Sequence, residues 1–354
     1  MRPTLTKGWR MLGIALAAAA LLVSSACSGG NEPAAEGDTQ PKGDVTLVIG
    51  AYSVAKDAFA ELLPKFQAKW QAETGQKLVF QESYEASGTQ ARAIAGGFEA
   101  DVAVLAMESD IDKIQKAGFI THDWRQAPNA GMITNSIVVM GTRDGNPKGI
   151  RDWDDLTKDG IKVLYPNPKT SGGAQWDINA IYGAGLIKSE EETGTKDPEY
   201  AKAFLEQIHA NVESLDKSGR ASMAAFEYGV GDVIVTYENE LLARLKQGVK
   251  YSIVVPESTI LIENPAAVVD VNVDKHGTRE VAQAFVDYMH GEEAQRVFAE
   301  YGFRPVNETV AKEIAGKFET PPKLFDISYL GGWPEVREKL YSPKGIWYQV
   351  LAGL

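Results

Sequence analysis

Apolar and polar positions alternate along this chain in a strand, turn, helix rhythm that starts at Asp44 and is kept to the C-terminal third. Val45–Ile49 is a short β-rich run, followed by Phe59, Leu62, Leu63 and Phe66 at helical spacing, with Pro64 predicting a kink or restart. Leu78–Phe80, Ala100–Leu105, Ile133–Met140, Ile161–Tyr165, Val212–Leu215, Val233–Tyr237, Ile253–Val255 and Ala266–Val271 read as strands. Between them, Thr89–Ala95, Ile111–Ala117, a segment from near Gly173, Ala201–Asn211 and Ala221–Tyr228 read as helices. Val281, Ala284, Phe285 and Tyr288, at i, i+3, i+4 and i+7, mark an amphipathic helix over Val281–Met289. Such alternation predicts α/β architecture with largely parallel sheets. About 310 ordered residues exceed one comfortable core, so two lobes are expected. The apolar stretches 133–140 and 253–262 are the candidate crossovers. Lobe I is then 44–135 plus 258–354, and lobe II is 136–257.

The first residues break this pattern. A cationic segment with Arg2, Lys7 and Arg10 precedes an apolar run, Met11–Val23, too short for a bilayer-spanning helix, which needs about 20 residues. It matches the apolar stretch of a secretory signal over 1–26. Small residues Ser24–Ala26 just before Cys27 resemble a lipobox, with Ser24 where leucine is usual, which implies lipidation of the Cys27 thiol. Ser24 and Ala26 also suit ordinary signal cleavage. Residues 27–43, rich in Gly, Pro and polar side chains, read as a flexible tether. The expected address is the outer face of the cell membrane or the periplasm, with membrane attachment through the lipid only.

Composition narrows the function. The 354 residues carry a net charge of −12, which becomes −15 once Arg2, Lys7 and Arg10 leave with the signal. An acidic chain is a poor nucleic-acid binder, because phosphate backbones attract surplus Lys and Arg. A single cysteine excludes an internal disulfide framework and a thiolate metal cluster. Charge alone also argues against an anionic ligand, but the turns carry a different signal.

Four presumed strand-to-helix junctions share one chemistry: Ala51-Tyr52-Ser53, Ala86-Ser87-Gly88-Thr89, Thr170-Ser171-Gly172-Gly173 and Ser218-Gly219-Arg220-Ala221. A helix start leaves backbone N–H groups unpaired at the positive end of the macrodipole. Serine supplies a cap or donor, and glycine lets a ligand approach the backbone. Ser, Thr and Gly are also simply common N-caps, so each junction by itself has a structural reading. Converging, such ends form an anion site without Lys or Arg. Thr170–Gly173 is the strongest single candidate, since paired glycines at a helix start cost stability.

The string Tyr165-Pro166-Asn167-Pro168-Lys169-Thr170-Ser171-Gly172-Gly173-Ala174-Gln175-Trp176 closely resembles the central motif of periplasmic sulfate-binding proteins, the solute receptors of ABC importers for sulfate and thiosulfate. Glu99-Ala100-Asp101-Val102, Gly145-Asn146-Pro147-Lys148, Gly231-Asp232-Val233, Glu238-Asn239-Glu240, Val255-Pro256-Glu257-Ser258 and Gly331-Gly332-Trp333 fit the same family in the same order, over essentially 44–340. The resemblance implies a type II periplasmic-binding-protein fold: two α/β lobes, a hinge, and a desolvated oxyanion in the cleft. It further implies backbone donors at Ser53, Ser87, Gly172, Gly173 and Gly219, and a hydroxyl donor at Ser171. The sequence departs from the family at Ser53-Val54, where Asp-Pro is usual, at Gly219, where alanine is frequent, and at Tyr237, where a tryptophan donates its indole N–H. Arg220 reads as a positive charge behind the site or as a solvated surface arginine. Sulfate, a permease and its ATPase are the implied partners, for a monomeric receptor without cofactor.

Sulfate and thiosulfate only accept hydrogen bonds at neutral pH, whereas phosphate retains a proton and needs an acceptor. A donor-only pocket therefore selects by proton content, at about 1–3 kcal/mol per mispaired group. None of these positions is Asp or Glu, which favours a sulfate-type site over a phosphate-type one; another oxyanion, thiosulfate and then molybdate or phosphate, is the alternative ligand. A secreted hydrolase of sulfate or phosphate esters is the remote alternative. It needs a nucleophile with a base or metals, whereas His122, His209, His276 and His290 are scattered. Asp152, Asp154 and Asp155 read as a solvated helix start, and Glu238 and Glu240 as residues that orient a loop or pair with bases.

Overall fold

The computed structural model describes residues 43–353, so the signal, Cys27 and all but the last residue of the tether lie outside the described residues. Among the described residues eleven strands form one sheet: β1 (Val45–Tyr52), β2 (Leu78–Glu85), β3 (Val102–Val104), β4 (Met132–Arg143), β5 (Val163–Pro166), β6 (Val212–Asp216), β7 (Val233–Tyr237), β8 (Tyr251–Val254), β9 (Ser258–Val268), β10 (Arg304–Pro305) and β11 (Lys323–Phe325). Their order is β2-β1-β3-β9-β4-β7-β5-β6, with β8 and β10 on β4 and β11 on β9.

Two groups of parallel strands stand at the ends of this path. β2, β1 and β3 form one, and β7, β5 and β6 the other. Each group is a product of strand–helix–strand connections, which place helices on the faces and leave Val and Ile runs buried. Between the groups run β4 and β9. β4 pairs with β9 from Met132 to Ile137 and then with β7 from Val138 to Thr142. β9 passes from β11 at Ser258–Ile260, through β4, to β3 at Ala266–Val268. The architecture is the two-lobed α/β fold that the resemblance implies.

Four expectations need correcting. The sheet is mixed rather than largely parallel, because β4 and β9 are antiparallel to each other and to the groups they join. The second long crossing strand is Ser258–Val268, later than 253–262, while Ile253 belongs to β8. The Ala266–Val271 run ends as strand at Val268, and Asp270 opens a helix, Asp270–His276, where the pairing to β3 runs out. Pro64 neither ends nor restarts its helix, Lys56–Thr74. It is exposed, as is Ala60 one turn earlier, so the carbonyl left without a partner faces solvent.

The C-terminal third folds back on the N-terminal one. Phe66 of the Lys56–Thr74 helix packs on Phe285 of the Arg279–His290 helix at 5.1 Å between ring centres, and Phe59 packs on Phe298 at 6.2 Å. These rings are almost fully buried, and each contributes about 1.5–3 kcal/mol by leaving water. This core fixes the ends of β1 and β2, from which half of the site projects.

Candidate functional site

The candidate residues follow the carboxyl ends of parallel strands. β1 runs into Ser53, β2 into Ser87, β5 into Ser171, β6 into Gly219, and β7 ends on Tyr237. In open α/β sheets this is the edge where helix starts and ligand crevices lie. Six of the seven expected ligand residues, namely Ser53, Ser87, Ser171, Gly173, Gly219 and Tyr237, line one cavity. Its volume is about 20 Å³, so it suits a small solute. Gly172 is not on its lining; a methyl group there would sit 3.0 Å from Asp110 Oδ2 and 3.2 Å from Ser87 Oγ. Gly172 is thus the point where two helix starts meet.

The same close approach recurs around the cavity. A Cβ on Gly88 would lie 3.0 Å from the Thr170 carbonyl, and one on Gly219 would touch Val54 at 3.5 Å. On Gly173 it would meet Ser171 Oγ at 3.3 Å and the Tyr237 hydroxyl at 3.7 Å. Four junctions that spacing could not bring together are therefore neighbours in space. Ser87, Gly172 and Gly219 each open a helix, Ser87–Ala95, Gly172–Thr193 and Gly219–Glu227. As first residues they have N–H groups with no intrahelical partner.

Ser171 and Ser87 use their hydroxyls differently. Ser171 Oγ accepts from Ala174 N at 3.3 Å as the N-cap, which leaves its O–H to give. Ser87 Oγ donates to Asp110 Oδ2 at 2.6 Å and accepts from Ala106 N at 2.9 Å, so only its backbone N–H faces a ligand. The Ala106 carbonyl in turn accepts from Trp176 Nε1 and Asn264 Nδ2, locking the cavity floor. Tyr237 is 3% exposed, and its hydroxyl has no hydrogen-bond partner. Burial first, then the nearby Tyr52, Asp177 and Asp110, outweigh an opposing interaction with the Asn264 side chain and push its pKa well above the ordinary tyrosine range, so it stays an O–H donor. No Lys, Arg or His lines the cavity.

Arg220 stands outside this lining. Its guanidinium is 2.9 Å from Asp57 Oδ2 and 3.2 Å from Glu240 Oε1. It joins the start of the Gly219–Glu227 helix to the Lys56–Thr74 helix. Burial raises the Glu240 pKa to about 7 against the opposing pull of Arg220. Glu238 pairs with Arg304 at 2.7 Å. Asp152 caps Trp153–Thr157 in a capping box with Asp155, while Asp154 pairs with Lys188. Among the described residues no group of three or more His, Cys, Asp or Glu is placed to hold a metal.

The residue that sequence reasoning missed is Asp177, whose carboxyl lines the cavity and whose Oδ1 is buried without a partner. None of the positions that the resemblance implies is Asp or Glu, and Asp177, outside that set, adds a carboxyl-bearing residue to the lining. A signal existed: Asp177 follows Gly173 by four positions, and residues i and i+4 share a helix face.

Residues 47–304 match the bacterial extracellular solute-binding protein family. A sulfate-binding protein of Synechococcus elongatus is 42% identical over 359 residues, covering 100% of both chains. The chain belongs to the sulfate-binding protein family. A thiosulfate-binding protein of Pseudomonas aeruginosa is 34% identical, covering 95% of this chain and 98% of its own. Among solved structures, the sulfate-binding protein SubI of Mycobacterium tuberculosis is 35% identical, covers 84% of this chain and 100% of its own, and superposes with a TM-score of 0.77.

Proposed function

We propose that this protein is the extracytoplasmic receptor of an ABC importer, capturing sulfate between two lobes and delivering it to a membrane permease driven by its ATPase. The observation that carries the reading is the cavity itself: converging helix starts, the free Ser171 and Tyr237 hydroxyls, and no cationic side chain on the wall. Oriented dipoles in a dry site replace the hydration of an anion that only accepts hydrogen bonds. Lobe I is 44–135 plus 258–354 and lobe II 136–257, with β4 and β9 as hinge strands. Donors from both lobes meet the anion and stabilise the closed form that docks on the permease. The role is binding rather than catalysis. The chain is held at the outer face of the membrane through Cys27 and acts as a monomer. No helix among the described residues is long and apolar enough to cross a membrane.

Titration calorimetry tests the reading. Sulfate binds the native protein, and Ser171→Ala and Tyr237→Phe each weaken it by about 10- to 100-fold, the worth of a hydrogen bond to a charged group. Unchanged affinity in both variants removes the site assignment. Thiosulfate is the second reading, favoured by the thiosulfate-binding relative. A thermal-shift panel of sulfate, thiosulfate, molybdate and phosphate separates them, since a ligand of the native state raises its melting temperature.

A further inference from the structure

The cavity wall carries one carboxyl group, that of Asp177. The residue is 1% exposed, and Oδ1 has no hydrogen-bond partner. Burial alone acts on its carboxyl, with no cationic group opposing it. The groups that feel its charge are Tyr165 of β5, Tyr237 of β7 and Tyr341, in the segment after the Gly332–Lys339 helix. His209 of the Pro198–His209 helix stands behind Tyr165, bonded to its hydroxyl at 2.6 Å, and burial lowers its pKa, which keeps it uncharged. Asp110 of the Glu108–Lys116 helix approaches across Gly172, and its own counter-ion, Lys113, is on the far side at 2.6 Å from Oδ1.

An ionised carboxylate here would face a bound dianion across a few ångströms of dry protein with no cation between them. Coulomb repulsion in so poor a dielectric is several times its strength in water. A neutral carboxylic acid, in contrast, has an O–H to give and suits a ligand that only accepts. Resting on the reading of the site as an oxyanion receptor, we propose that Asp177 is a specificity residue that takes up a proton with the ligand and donates its O–H to the bound oxyanion. Desolvation already pushes the Asp177 carboxyl well above the usual carboxylate range in the ligand-free protein, and an adjacent dianion pushes in the same direction. Balance requires that, wherever the empty site is ionised, each oxyanion captured brings one proton from solvent.

The test is calorimetry of sodium sulfate binding from pH 6 to pH 9.5, in buffer pairs of different ionisation enthalpy, on the native protein and on Asp177→Asn. Sulfate does not titrate in this range, so any proton taken up belongs to the protein. For the native protein, sulfate affinity falls with rising pH, approaching about tenfold per unit, with uptake nearing one proton per anion. Asp177→Asn keeps a neutral N–H donor and binds with a flat profile and no such uptake. The variant also controls for Glu240, whose titration near neutrality it leaves in place. Native sulfate binding without proton uptake, at a pH profile shared with the variant, overturns the role of Asp177 and leaves the receptor reading intact. Absence of sulfate binding to the native protein overturns both. Hydrogen phosphate bound more tightly than sulfate by the native protein, with the order reversed in Asp177→Asn, overturns it too, by making the side chain an acceptor. If the variant does not fold, the native proton count at pH 9 to 9.5, well above the Glu240 range near 7, decides.

Discussion

Asp177 and Asp270 are both buried, and both sit within the first turns of a helix, yet their carboxyls behave oppositely. Asp270 accepts from Thr121 N at 2.6 Å and His122 N at 3.2 Å, contacts His122 Nδ1 at 2.6 Å, and pairs with Arg279 at 2.7 Å. Partial burial raises its pKa, but these contacts outweigh it and hold the carboxyl well below the ordinary range. Asp177 has burial and no partner, and its pKa is driven up. The first is a finished structural junction, tying the turn at Thr121–His122 to the Asp270–His276 helix. The second waits for something the protein does not supply. Polar groups left unpaired in a folded interior are costly, so a cluster of them around one small cavity marks where a ligand completes the structure. The Tyr237 hydroxyl and the open helix starts belong to the same unfinished set.

The largest expected effect comes from filling the unfinished region. Gly173→Ala adds a methyl 3.3 Å from Ser171 Oγ and 3.6 Å from the Tyr237 ring, ordinary or slightly tight contacts that the fold accommodates. The same methyl takes space between two cavity-lining donors in a cavity of about 20 Å³. Sulfate affinity should drop at least about 100-fold, or about 2.7 kcal/mol, while the melting temperature of the ligand-free protein moves little. Retained sulfate affinity, read by calorimetry, would mean that the anion lies elsewhere and that the contrast with Asp270 has no functional content.

How far the sequence carried this contrast depends on what each element encodes locally. The amphipathic spacing of Val281–Met289 and the short β-rich run Val233–Tyr237 describe one element each, and both elements form as read. The Thr170–Gly173 junction was legible because capping chemistry is local. Convergence was not: it depends on β4 and β9 passing through both strand groups, a pairing between residues such as Ile137 and Leu261 that no window contains. β10 and β11 were missed because two- and three-residue strands have no period to detect. Val269–Val271 misled because valines favour a strand wherever pairing allows, and here the pairing to β3 ends at Val268. Asp177 was overlooked because resemblance directs attention to positions a family shares, while a side chain one turn further on needs the helix geometry to be followed through.

The finished region should respond to the opposite manipulation. Asp270→Asn removes a charge that two backbone N–H groups, His122 and Arg279 all use, and should cost about 1–3 kcal/mol of stability at pH 7 with sulfate affinity unchanged. The folded pKa of Asp270 lies below its unfolded value. Its contribution is therefore complete above the ordinary carboxylate pKa, near pH 4, and is lost as pH falls through the depressed one. Denaturant melts of native protein and variant should accordingly differ at pH 7 and converge as the pH is taken below about 4. A gap that stayed constant with pH would show that shape rather than charge holds the junction.

The smallest effect separates backbone from side chain within the site. Ser87 lines the cavity, and its hydroxyl is the obvious candidate ligand, yet that oxygen is held between Asp110 Oδ2 and Ala106 N. Ser87→Ala leaves the Ala106 N–H and the Asp110 carboxylate short of a partner in a buried place, worth about 1 kcal/mol or somewhat more in stability. The N–H of residue 87 is untouched, and alanine is a good helix former at a first helical position. Sulfate affinity should therefore stay within about threefold of native, in contrast to Ser171→Ala, whose hydroxyl is free to donate. Calorimetry on the two serine variants side by side reads this directly. A loss at Ser87 as large as that at Ser171 would show that the Ser87 hydroxyl leaves Asp110 for the anion, and that this part of the wall rearranges when the ligand enters.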